Sequence, residues 1–359
     1  MSRQCTQDAN SATRTVHHGR VAGFTLIELM VAMLLGLVVI GGVTSVFLAN
    51  QQVYRTNAAL GEVQDNTRVS FELLAQNIRQ AGLLGCSNNG QVANVLADGP
   101  NNSGTDWWAN WNNALQGFGS GTGANPALTV GTTAGQQVAG TDSLMLLNAA
   151  DGGLSVSSND PVGYTFTLNG TDSNFAANKI MIVCDPDHAT LFRASSYTTS
   201  GASPVVGYAQ TSGGGGATLN CSAGLGYPTV CTPAGTSYTF NPNAMIAPMA
   251  AGVWYVGYNP GGTTSLYLDN VDTTTGTATP QEMVRGVTAM AITYHVSGKP
   301  NFVTASGVSS WSSVDAVQVK LTMQSTSARV ATNSSSGAVA AAPLQRSYTV
   351  TATVRNRVQ

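Results

Sequence analysis

The stretch that decides the fold runs from residue 23 to residue 49, GFTLIELMVAMLLGLVVIGGVTSVFLA. It holds a single charged residue, Glu28, and no other charge follows before Arg55. About 20 residues of this kind cross a bilayer core as a helix. Arg14, His17, His18 and Arg20 stand ahead of it, and the positive-inside rule keeps such a flank in the cytoplasm. Everything beyond residue 55 is then expected on the far side of the membrane, where disulfides persist.

An ordinary signal peptide has a shorter apolar run and a small-residue cleavage site after it. Here the small residue, Gly23, precedes the run, and cleavage there would leave the apolar helix on the mature chain. Glu28 has two readings. It marks the membrane boundary and is solvated by headgroups, or it needs a partner, because a carboxylate near hydrocarbon is costly. Cutting after Gly23 would create an amine at Phe24, one helical turn from Glu28. The amine of a neighbouring subunit could then pair with Glu28 and set axial register.

Outward from this segment the composition is unusual. Only 9% of the 359 residues are charged and 40 are Gly, against roughly 25% charged in a typical domain. The abundant Ser, Thr and Asn suit turns and solvated strand faces. The net charge of −2 gives no basic footprint, so no nucleic-acid partner is expected. Removing residues 1–23 takes away Arg3, Arg14, Arg20 and Asp8 and leaves the remainder slightly acidic.

Beyond the apolar run Leu60, Val63, Thr67, Phe71, Leu74 and Ile78 recur three or four apart, which predicts an amphipathic continuation of the helix over 51–82. Gly82 and Gly85 read as its stop. Residues 83–359 alternate apolar and polar in many segments, which predicts an antiparallel β head with long loops. Strands are expected at 143–147, 164–168, 179–183, 190–194, 252–258, 265–269, 289–295, 316–323 and 347–355. Residues 198–248, rich in Pro and Gly, read as a long flexible insertion. The fold class is therefore α+β, with a leader at 1–23, a membrane or filament-core helix at 24–50, its amphipathic continuation and the head.

Cys5 lies in the leader, which leaves Cys86, Cys184, Cys221 and Cys231. Four cysteines allow three pairings, and sequence does not choose among them. The spacing of Cys221 and Cys231 is compatible with a local bridge, which would leave Cys86 and Cys184 to tie the helix end to the sheet. Cys184-Asp185-Pro186-Asp187-His188 contains metal-ligand residue types without metal-site spacing and reads as a strand end with a turn. Asp269, Asn270 and Asp272 suit either turns or, as the alternative, a calcium loop. No other cofactor is expected. Trp107, Trp108 and Trp111 read as packing a long loop on the core, with an exposed binding patch as the alternative. No P-loop, H-E-x-x-H or G-x-S-x-G pattern occurs, so no catalytic residues are expected.

Gly23-Phe24-Thr25-Leu26-Ile27-Glu28 resembles the processing motif of type IV prepilins, with a longer leader than is common there. The resemblance implies that prepilin peptidase cuts after Gly23 and methylates Phe24, and that Glu28 guides assembly. Five sets of residues in the head are similar to the minor pilins called PilW. They are Arg79-Gln80-Ala81-Gly82 with Gly85-Cys86; Thr141-Asp142-Ser143; Cys184-Asp185 with Leu191-Phe192; Glu282–Val287 with Tyr294; and Trp311 with Val314, Val317 and the ending Val354–Arg357. That likeness implies a pilin fold and a role in starting pilus assembly, near the tip. It implies as partners the other minor pilins, the major pilin and the inner-membrane assembly machinery. It also implies a single-pass inner-membrane form with a periplasmic C-terminus, which passes into a pilus on the cell surface. A type II secretion pseudopilin and a pilus-displayed adhesin are the alternatives.

Overall fold

The helical periodicity is realised as α1 (Leu26–Gln80). The computed structural model describes residues 23–86, 91–119, 125–150, 152–201, 203–212, 216–327 and 343–355. The readings on residues 1–22, including Cys5 and the basic flank, and on Asn356 and Arg357 lie outside the described residues. The chain divides into two compact units, Met1–Arg55 and Thr56–Gln359.

The described part of the first unit is the opening of α1. Its apolar side chains have no cover: Leu37 is 74% exposed and Ile40 67%. Burying such surface is favourable at roughly 25 cal/mol per Å², so this stretch belongs in lipid or between protein neighbours. Its hydroxyls suit that setting, because they are satisfied inside the helix. Thr44 Oγ1 donates to the Ile40 carbonyl at 2.8 Å and Ser45 Oγ to the Gly42 carbonyl at 2.7 Å.

In the second unit the remainder of α1 buries one stripe, Ala59, Val63, Thr67, Ser70, Leu74, Ala75 and Ile78. The helix ends where Gly82 takes φ +70° and its N–H donates to the Leu147 carbonyl at 2.8 Å. A left-handed glycine just past the last turn is a common helix stop, because it bears no Cβ.

Sixteen strands follow among the described residues. They are β1 (Val92–Asn94), β2 (Leu115–Phe118), β3 (Ser143–Ala149), β4 (Leu154–Asp160), β5 (Thr165–Leu168), β6 (Ile180–Cys184), β7 (Ala189–Arg193) and β8 (Ser196–Thr198), then β9 (Val205–Gly207), β10 (Met245–Tyr258), β11 (Thr264–Asp272), β12 (Thr277–Arg285), β13 (Val287–Val296), β14 (Phe302–Val303), β15 (Val314–Gln324) and β16 (Gln345–Thr353). The first twelve form one sheet and the last four a second, in the order β14-β13-β15-β16. The 14-residue β10 organises the large sheet. Its start pairs with β4 and β6, and its remainder with β3 and β11.

One core cluster packs Leu74 and Ile78 of α1 with Trp254, Tyr294, Val317 and Leu321. A second gathers Leu84, Trp111, Leu147, Ile182 and Leu191. A third is aromatic: Phe166 lies 4.8 Å from Tyr208 and 6.0 Å from Phe240, centroid to centroid. It corrects the reading of 198–248 as a flexible insertion. Tyr208, Leu225 and Phe240 there are each 1% exposed, β8 and β9 cross it, and β10 begins at Met245. Among the described residues of this stretch, Gly and Pro shape turns around an apolar anchor set; Ala202 and Gly213–Gly215 lie outside the described residues.

Candidate functional site

Gly23, Phe24 and Thr25 lead into α1, and among the described residues no other element packs on them. Phe24 is 86% exposed, and a Cβ on Gly23 would meet no described atom within 4 Å. Nothing among the described residues therefore requires glycine at 23. Thr25 and Glu28 close a reciprocal cap. The Thr25 N–H and Oγ1 donate to Glu28 Oε2 at 3.0 and 2.9 Å, and the Glu28 N–H donates to Thr25 Oγ1 at 3.3 Å. This is a capping box: a hydroxyl at the helix start and a carboxylate three residues on satisfy each other's backbone. Glu28 thus has a partner within its own helix, a role the sequence reading missed. The signal was present, since Thr-x-x-Glu ahead of an apolar run is a helix-start pattern. The arrangement holds an acid one turn from the Gly23–Phe24 peptide bond, with both groups open to a partner.

The four head cysteines form two disulfides. Cys86–Cys184 joins the segment after α1 to the end of β6, with Cα atoms 6.0 Å apart, and Cys221–Cys231 closes a ten-residue loop at 4.8 Å.

The Cys184–His188 stretch is a hairpin turn. Asp185 Oδ1 accepts from the Asp187 and His188 N–H groups at 3.1 and 2.9 Å, and its Oδ2 accepts from the Tyr238 hydroxyl at 2.7 Å. That acceptor, with burial as the larger cause, pushes the Tyr238 hydroxyl up to about 12. Asp269, Asn270 and Asp272 are not brought together as calcium ligands. Asp269 is buried, whereas Asn270 and Asp272 are exposed. Asn270 Nδ2 donates to Gln281 Oε1 at 3.3 Å, and Asp272 Oδ1 accepts from the Thr274 N–H at 2.9 Å in a turn. No group of three or more His, Cys, Asp or Glu suited to a metal gathers among the described residues.

The tryptophan cluster packs. Trp111 is buried in the second core cluster, and Trp107 and Trp108 lie half-buried against it, edge to face at 5.7 Å.

Several of the described head residues that carried the likeness pack or turn the chain. Tyr294 is fully buried and meets Trp311 edge-on at 4.9 Å. Gly286 turns β12 into β13 at φ +80°, where a Cβ would lie 2.3 Å from the Gln324 carbonyl oxygen. Glu282 receives the Arg285 Nε–H at 3.0 Å.

A long apolar N-terminal helix that opens on a Gly–Phe junction, with an antiparallel-rich β head after it, defines the pilin-like α+β class. Residues 19–44 match the prokaryotic N-terminal methylation motif. Residues 253–358, from the middle of β10 through β16, match the family described as type IV pilus-assembly protein W, PilW. The two matched segments, one at each end of the described chain, are similar to the N-terminal motif and to the C-terminal part of the head of PilW-type pilins. No curated protein and no solved structure matches the chain.

Proposed function

We propose that this chain is a minor pilin, processed after Gly23, methylated on Phe24 and built into a type IV pilus through its apolar helix. The observation that carries the reading is the Gly23–Phe24 junction, open among the described residues, on a helix whose apolar side chains are exposed in the described part of the first unit. The family's role supports a place among the subunits that start assembly, near the tip. Prepilin peptidase, the other minor pilins, the major pilin and the inner-membrane machinery are then its partners. The subunit waits in the inner membrane with its head in the periplasm and afterwards lies on the cell surface. Glu28 acts in assembly by meeting the Phe24 amine of a neighbour once it leaves Thr25.

Mass spectrometry of the mature chain tests this directly. The expected terminus is N-methylated Phe24. An intact leader, or a cut elsewhere, would count against it. The match over residues 253–358 favours the pilus subunit over a secretion pseudopilin. The packing of Trp107, Trp108 and Trp111 weighs against the tryptophan cluster as the surface of a pilus-displayed adhesin, whose other candidate surface is the Gly-rich insertion.

A further inference from the structure

Two segments of the head meet around a cleft at one end of the large sheet. One runs from β1 into the short turns Pro100–Asn102 and Trp111–Asn113. The other is the loop that Cys221–Cys231 closes. Between them lies a cavity of about 300 Å³, whose walls include Asn101, Trp111, Asn112, Tyr227, Pro228 and Thr229.

The cleft is firmly built. The Asn94 N–H donates to Thr229 Oγ1 at 3.0 Å, which joins the two walls. Asn94 is itself buried: its Nδ2 donates to the Ala109 carbonyl at 2.7 Å and its Oδ1 accepts from the Leu96 N–H at 3.1 Å. Asn101 Nδ2 donates to the Asn94 carbonyl at 3.0 Å. On the other wall the Cys221 N–H donates to the Val95 carbonyl at 2.7 Å, and Thr236 Oγ1 donates to the Pro228 carbonyl at 2.7 Å.

Tyr227 departs from this anchoring. Leu225, two residues before it, is 1% exposed, yet Tyr227 is 52% exposed. Its hydroxyl makes no hydrogen bond among the described residues. A ring held in the open by a pinned loop serves contact rather than packing.

The groups left free define the ligand. None of the described residues lining the cleft is charged, so an ionic ligand would find no counter-charge there. Asn101 keeps its Oδ1, and the exposed Asn112 keeps its whole amide, so the cleft offers both donors and acceptors. An extended peptide cannot add to the β1 edge at Asn94, because Thr229 and Asn101 already take that N–H and C=O. The volume lies at the small end of ligand pockets, which run from about 300 to 1,000 Å³. A pyranose ring meets these demands together: it is neutral, its C–H face packs on an aromatic ring, and its hydroxyls both donate and accept. We infer that this cleft binds a neutral saccharide, with one pyranose ring against Tyr227 and its hydroxyls on Asn101 and Asn112. Such a site adds a ligand to the filament subunit and changes nothing in how α1 is processed or assembled.

The test uses the full chain with both disulfides intact, in a detergent without a sugar headgroup, on an array of neutral, sialylated and sulfated saccharides. The chain should be retained on neutral saccharides. Methyl β-D-galactopyranoside or methyl β-D-glucopyranoside should displace it at about millimolar concentration, as suits one small ring. Tyr227→Ala should weaken binding about tenfold or more, and Tyr227→Phe no more than about twofold, since the ring and not the hydroxyl is the platform. Asn112→Ala, which breaks no hydrogen bond among the described residues, should weaken binding by about three- to tenfold. Val230→Ala, in the same loop and 44% exposed, should bind as the wild type does. Retention on acidic saccharides alone, on none, or undiminished in both Tyr227→Ala and Asn112→Ala would overturn the site. So would displacement by a proline decapeptide and by neither glycoside. None of these results bears on the mass of the mature N-terminus, so the pilin reading stands or falls separately.

Discussion

Asp142 and Ile292 are 150 residues apart in sequence, yet the Asp142 carboxylate accepts the Ile292 N–H at 2.7 Å. The side chain stands where a longer β14 would have supplied a carbonyl, and so closes the β13 edge. Ile292 is 2% exposed, and a buried donor left without an acceptor costs about 1–3 kcal/mol. Asp142→Ala should lose about that much in urea unfolding at neutral pH. Asp142→Asn keeps an acceptor oxygen and sheds the charge whose burial pushes the Asp142 carboxyl upward, so it should lose clearly less. Equal losses for the two variants would show that the charge, not the acceptor, matters.

The two disulfides should contribute unequally. Cys86–Cys184 closes a loop of 98 residues and Cys221–Cys231 one of 10. In the chain-entropy account the cost of losing a bridge grows with loop length, about 4–5 kcal/mol for a loop near 100 residues and nearer 3 for the short one. The Cys86→Ser/Cys184→Ser pair should therefore lower the denaturation midpoint more than Cys221→Ser/Cys231→Ser. The reverse order in guanidinium unfolding would mean that the short loop anchors the aromatic cluster more than the long bridge anchors β6.

Gly286 offers a sharper steric test. Its φ of +80° favours glycine, and a Cβ would meet the Gln324 carbonyl, a backbone atom of β15. The Gln324 N–H also donates to the Gly286 carbonyl at 2.7 Å, so neither strand can back away without breaking that bond. Gly286→Ala should cost about 2–3 kcal/mol by thermal or urea unfolding. Gly298→Ala, also at positive φ but with open space around it, should cost about 1 kcal/mol.

Asp269 makes stability depend on pH. It is 4% exposed, and its Oδ1 finds no hydrogen-bond partner among the described residues. Burial raises its carboxyl to about 6, above the unfolded value near 3.9. The folded state therefore binds this proton more tightly than the unfolded chain does. The stability this contributes is complete below about pH 4 and is lost as pH rises through about 6. Asp269→Asn should leave stability unchanged near pH 4 and raise it at pH 7.5, by on the order of 1 kcal/mol once solvent screening is allowed for. Urea midpoints across that window check it; a variant equally destabilised at both ends would remove Asp269 as the cause.

What the sequence revealed tracks how local each signal is. The helix was legible because an apolar run and then a 3–4 spacing need no tertiary information. The core of every expected strand was legible for the same reason, from 143–147 in β3 to 347–353 in β16. β1, β8, β9 and β14 are too short to show a period, and β12 is masked by Pro280 and its charges. Pairing is non-local, so the reach of Asp142 to Ile292 could not be read; of the disulfides only the ten-residue spacing of Cys221 and Cys231 pointed to a connection, and the pairing it suggested, with Cys86 to Cys184, is the one observed. The long insertion misled because Gly and Pro report on turns and say nothing about Tyr208 and Phe240 closing a core. The Thr25–Glu28 cap is as local as the helix itself and is legible in the Thr-x-x-Glu pattern ahead of the apolar run.

That cap makes the two roles of Glu28 separable. Thr25→Val removes the hydroxyl that donates to Glu28 and accepts its N–H, yet leaves the carboxylate free for a neighbour. Glu28→Val removes the carboxylate from both. If Glu28 served only to start α1, the two variants should be incorporated into sheared pili to similar, mildly reduced levels. If it also meets the amine of an adjacent subunit, Glu28→Val should be depleted from pili about tenfold or more while Thr25→Val stays within a few-fold of the wild type, since pairing of a charge near lipid outweighs one helix cap. Both variants should still lose the leader, seen as a mature-sized band in the membrane fraction. Immunoblots of pilus and membrane fractions distinguish the outcomes, and Glu28→Val present in pili at wild-type levels would remove Glu28 from assembly altogether.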